Sequence, residues 1–95
     1  MPPIDGVRVG KRTVTFLDAD NNFLTAVLID QIETVDISYS TNSNLATYSL
    51  LVTLKSGTTK KLSRKRRATG RVPELERKLQ EIAEEVVQAV DEIEN

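Results

Sequence analysis

Apolar and polar positions alternate through most of the first 63 residues, and from Pro73 the period lengthens to that of a helix. In RTVTFL (12–17), Val14 and Phe16 fall on one side and Thr13 and Thr15 on the other, the pattern of a half-buried strand. FLTAVLI (23–29) is a more continuous apolar run, which predicts a second, more deeply buried strand. ETVDISYS (33–40) sets Val35, Ile37 and Tyr39 on one face against Asp36 and Ser38 on the other. ATYSLLVTLK (46–55) is the longest strand and aligns Tyr48, Leu50, Val52 and Leu54. TTKKLS (58–63) returns as a lysine-bearing edge strand. DADNN (18–22) and TNSN (41–44) are loops by composition, and Ser56-Gly57 forms a tight hairpin, because glycine tolerates the positive φ such turns need.

Beyond Pro73, Leu75, Leu79, Ile82, Ala83, Val86, Val87, Ala89, Val90 and Ile93 fall within an arc of about 160° at helical spacing, the broad stripe of a helix packed on a core. Proline suits the first helical position, and Glu74 and Glu76 lie where the helix dipole favours anions. The expected fold is α+β: a bent antiparallel sheet or partial barrel of about five strands followed by one C-terminal amphipathic helix. Strands lie within 7–63, a basic connector spans 60–71, and the helix covers 73–93. Its core draws on Val14, Phe16, Leu28, Ile32, Val35, Ile37, Tyr48, Leu50, Val52, Leu54 and Leu62, with Leu75, Leu79, Ile82 and Val86 from the helix.

Ninety-five residues suffice for one domain with a modest core. The chain contains no cysteine and no histidine. Disulfides and thiolate metal sites are thereby excluded, along with the usual general base. No apolar run approaches a membrane span, and Met1-Pro2-Pro3-Ile4-Asp5 lacks the basic start and apolar run of a signal peptide. These features predict a cytoplasmic protein.

LIDQIETVDISYS, then YSLLVTLKSGTTKKL, then an amphipathic helix together resemble the bacterial PH-like (pleckstrin-homology-like) domains. Ile29, Ile32, Val35 and Ile37 match the first of that family's apolar patterns, and Tyr48, Leu50, Val52, Gly57 and Leu62 the second. The resemblance spans residues 24–93. It implies a barrel closed by a helix, binding or scaffolding rather than catalysis, and in some cases ring-shaped homo-oligomers. It implies no particular ligand. The five expected strands are fewer than the seven of a full PH barrel.

Charge is distributed unevenly along the chain. Residues 55–71 hold eight basic and no acidic side chains, while residues 72–95 hold two basic and eight acidic ones. The strip KKLSRKRRATGR presents Lys60, Lys61, Arg64, Lys65, Arg66, Arg67 and Arg71 as a candidate anion-binding surface for nucleic acid or an acidic membrane. Its rival reading is a solvated connector neutralised by the acidic helix. Aromatics that would stack on single strands are missing from residues 49–95. If the strip binds polyanions, affinity should fall steeply with salt, and reversing Arg64, Arg66 and Arg67 to Glu should abolish it.

A second candidate lies on the helix. Leu75, Leu79, Ile82, Val86, Ala89 and Ile93 make a heptad seam. A helix of about 32 Å outruns strands of about 20–23 Å. Val86, Val87, Val90 and Ile93 are therefore expected to overhang and form a homo-oligomer interface. The expected function is a non-catalytic interaction or assembly module, self-associating through the helix and sheet edges, with anion binding as the alternative. No cofactor, metal or small-molecule substrate is inferred. Asp18, Asp20 and Asn22 open like a calcium loop, but Phe23 and Ile29 stand where its glycine and bidentate carboxylate belong. RRAT (66–69) fits a basophilic-kinase acceptor at Thr69, a short motif that arises often by chance. No nucleophile–base pair or phosphate-cradling glycine loop is visible, so the chain is not expected to be an enzyme.

Overall fold

The computed structural model describes residues 2–94. Six antiparallel strands form two sheets, and one helix follows. The first sheet holds β1 (Gly6–Val9), β2 (Thr13–Leu17) and β3 (Phe23–Leu28), with β2 central. A 3-10 turn, Ile29–Gln31, leads to the second sheet: β4 (Ile32–Asn42), β5 (Leu45–Leu54) and β6 (Thr59–Arg67), with β5 central. The helix α1 spans Pro73–Glu94 and lies against β1, β4, β5 and the 3-10 turn.

The α+β class and the C-terminal helix agree with the sequence pattern, but the strand count and sheet division do not. Two sheets of three strands replace the single bent sheet of about five. The additional strand is β1, whose GVRV carries only two apolar residues and begins with glycine. The connector expected at 60–71 is largely strand. β6 runs to Arg67 because β5 offers it a continuous ladder, from Thr53↔Thr59 to Leu45↔Arg67. Pairing overrides the weak strand propensity of lysine and arginine.

Both seams between the sheets are stitched by backbone hydrogen bonds. On one side, Ile4 N–H donates to Ser63 O at 3.2 Å and Asp5 N–H to Leu17 O at 2.9 Å. On the other, Ile29 N–H donates to Arg12 O and Lys55 N–H to Gln31 O, each at 2.8 Å. The 3-10 turn also explains why Ile29 and Ile32 are both buried: residues three apart eclipse in such a turn. Inside, Val14, Phe16, Val27, Tyr48, Leu50, Val52 and Leu62 meet the helix residues Leu75, Leu79, Ile82, Val86 and Ala89. Leu28, expected in the core, is 50% exposed, because its register partner is Thr13 on the outer side of β2 while Val27 pairs with the buried Val14.

Three turns rest on positive φ, the first of them the β2–β3 turn through Asn21 (φ 64°). Ser43 (φ 47°) and Asn44 (φ 68°) join β4 to β5 through the two-residue geometry that matches strand twist. Gly57 (φ 96°) closes the β5–β6 loop, donating its N–H to Leu54 O at 2.8 Å. In DADNN the Asp18 carboxylate accepts from Asp20 N–H at 2.9 Å and Asn22 N–H at 2.8 Å, a polar turn as expected.

Candidate functional site: the outer face of the second sheet

Drawing the basic strip into a strand divides it between two faces, since successive side chains on a strand point to opposite sides. Leu62 is buried in the core, so its face is the inner one, and Lys60, Arg64 and Arg66 share that parity. Lys61, Lys65 and Arg67 emerge on the outer face, beside Ser63.

The inner-face arginines are committed within the chain. Arg64 donates to Ile4 O at 3.0 Å and lies 3.0 Å from an Asp5 oxygen. Arg66 reaches Glu74 at 3.1 Å at the start of α1. Arg71, beyond the strand, reaches Glu76 at 3.0 Å and lies over the Tyr39 ring, 4.9 Å from its centroid. Arg64 thus neutralises an acid of the N-terminal segment, and Arg66 and Arg71 neutralise acids in the first turns of α1. Lys60, Lys61, Lys65 and Arg67 have no carboxylate within 4.0 Å among the described residues. Reversing Arg64 would therefore disturb the fold, and reversing Arg66 would turn an exposed ion pair with Glu74 repulsive, so the informative reversals shift to Lys61, Lys65 and Arg67.

The floor beside these outer cations is rich in hydroxyls. Across the three strands run the rows Thr34–Thr53–Thr59, Ser38–Ser49–Ser63 and Ser40–Thr47–Lys65. Between the first two lies Asp36–Leu51–Lys61, with the only acid of these four rows. Ser49 is buried, and its Oγ lies 2.8 Å from that of Ser63. Pro2 and Pro3 border a groove of about 410 Å³ with Lys61, Ser63 and Lys65. At the far end of β6, Arg67 sits beside the Asn42–Leu45 hairpin. Both tyrosines lie on the inner side, so the outer face carries no ring on which a base could stack.

The helix candidates are placed differently from one another. Val86 is fully buried and Val90 is half-buried against the core, whereas Val87 and Ile93 are 43% and 45% exposed. The expected overhang of Val86 fails for two reasons. β4 and β5 are 11 and 10 residues long, about 33–36 Å, close to the length of the helix. β1 supplies further cover: Val7 and Val9 share a groove with Ala89 and neighbouring helix residues. The heptad seam from Leu75 to Ala89 is used inside the protomer. Among the described residues no helix is long and apolar enough to cross a membrane.

Comparison of the chain with family models, with curated proteins and with solved structures finds no match.

Proposed function

We propose that this chain is a non-catalytic binding module that grips the phosphate backbone of a nucleic-acid duplex through the outer face of β4–β6. The observation that carries the reading is the emergence of Lys61, Lys65 and Arg67 on one face of one strand, none of them within ion-pair distance of a carboxylate among the described residues. Along an extended strand these side chains are spaced by about 13 and 7 Å, a linear cation array suited to successive phosphates. The hydroxyls of Ser63 and Thr47 lie beside them as further donors to phosphate oxygens. Lack of a stacking ring favours a duplex backbone over splayed single strands. Three cations are fewer than the four to eight that mark a segment bound to acidic lipid. Two three-stranded sheets and a C-terminal helix give this reading its scaffold.

The test is titration of a labelled DNA duplex at several salt concentrations. About three phosphate contacts give a slope of about −2.7 in log affinity against log salt. The triple variant Lys61→Glu, Lys65→Glu, Arg67→Glu is expected to abolish binding, while Arg8→Glu with Arg12→Glu, in β1 and the β1–β2 turn, leaves most of it. Binding that ignores salt, or no binding, rejects the reading. Binding to phosphatidylserine vesicles without duplex binding transfers the face to membranes. Self-assembly is the second reading, and its support is the bare edge of β4 rather than the helix.

A further inference from the structure

The two sheets expose four strand edges, and natural sheets blunt such edges with lysines, prolines, short strands or covering segments. β6 is blunted by its cations and by Ile4, whose N–H occupies Ser63 O. β1 has four residues, and β3 has six with an irregular register beside Leu17. β4 has eleven residues and no lysine, arginine, proline or glycine, and apart from one irregularity at Glu33 its ladder is regular from Thr34 to Asn42. Its free groups follow from the ladder. Leu54 N–H bonds Thr58 O, and Ser63 O turns away from β5 to Ile4, so the even residues of β5 bond β6 and the odd ones bond β4. The N–H and C=O groups of Val35, Ile37 and Tyr39 therefore point away from the sheet. No described residue is bonded to them. The side chains of these three residues lie half-buried on the inner face.

We infer that β4 pairs antiparallel with β4 of a second copy, about a two-fold axis through Ile37. In that register Ile37 meets Ile37 of the second copy, Val35 meets Tyr39, Asp36 meets Ser38 and Glu33 meets Thr41. The outward backbone groups meet each other, apolar residues pair across the inner face, and each acid faces a hydroxyl donor. Moving the axis to Asp36 would oppose two aspartates. Moving it to Ser38 would push Glu33 beyond the end of the paired strand. Charge and length thus select one register and one occupant: a copy of the same strand, with no basic partner strand required. The result is a continuous six-stranded sheet, with the two β6 edges about 24 Å apart. The pairing stands apart from the nucleic-acid reading, since none of Lys61, Lys65 or Arg67 takes part in it.

The experiment is sedimentation of the full chain over a concentration series, together with single-cysteine crosslinking. The chain has no cysteine of its own, so an introduced one reports only on itself. A dimer is expected. Ser38→Asp, which sets two like-charged pairs across the axis, is expected to raise the dimer Kd about tenfold. Ser38→Lys, which sets Lys against Asp36, is expected to lower it. Ile37→Cys should crosslink on oxidation and Thr41→Cys should not. Circular dichroism of the Ser38 variants separates loss of pairing from loss of fold. A monomer at high micromolar concentration overturns the inference. So does a dimer indifferent to both Ser38 substitutions or crosslinked through Thr41.

Discussion

The Tyr48 hydroxyl accepts the Val72 N–H at 2.9 Å, and the Tyr48 side chain is fully buried. Val72 O in turn receives the N–H groups of Leu75 and Glu76, so one phenol fixes the residue from which α1 starts. The Tyr48 ring packs on Tyr39 with centroids 4.8 Å apart, and Tyr39 lies under Arg71. Tyr48→Phe keeps this packing and removes only the oxygen, leaving a buried N–H with no acceptor. The expected cost is about 1–3 kcal/mol in urea unfolding, with an unchanged denaturant slope. A cost below about 0.5 kcal/mol would mean that water reaches Val72 and that the hydroxyl does not anchor the helix. Tyr48 was legible as a core residue from alternation, but its hydrogen bond joins residues 24 apart and needs the fold to be seen.

At the scale of elements, the helix was legible and the strand that covers it was not. The period of α1 is carried by nine apolar residues on one stripe, a signal that neighbours cannot disguise. GVRV offers two apolar positions and gains its structure from pairing, Val7 with Phe16 and Val9 with Val14. Without β1 in view, Val86 reads as unpartnered. With it, Val86→Ala opens a cavity in a closed core and is expected to cost about 2 kcal/mol, whereas Val87→Ala, half exposed, should stay within about 0.5 kcal/mol. Equal effects at the two positions, measured by thermal or urea unfolding, would contradict this division. The basic strip follows the same logic. Its seven cations were legible one by one, but their separation into committed and free sets depends on the register with β5, which no local propensity encodes.

At the scale of the molecule, Asp5 fastens three parts of the chain. Its backbone bonds Leu17 of the first sheet, and its carboxylate meets Arg64 of the second at 3.0 Å and Lys78 of the helix at 2.8 Å. The Lys78 hydrogen bond is the largest influence on this carboxyl and holds its pKa below the usual 3.8, with the Lys78 and Arg64 charges adding to it against partial burial. A depressed carboxylate binds fewer protons folded than unfolded. Its contribution is therefore complete above about pH 4 and is lost as pH falls through the folded value. Asp5→Asn removes that dependence and leaves Arg64 and Lys78 facing each other unneutralised. Near pH 7 the variant is expected to be about 1–2 kcal/mol less stable, as for a partly exposed charged hydrogen bond. The gap should narrow as pH drops below 4, because only the parent loses the Asp5 contribution. Asp18 is also held low, chiefly by the backbone N–H of Asn22; the Asp5 charge is the smallest of the influences on it, so its part in the difference is minor. Stability curves that run parallel from pH 7 to pH 2 would show that Asp5 does not join sheets and helix through its charge.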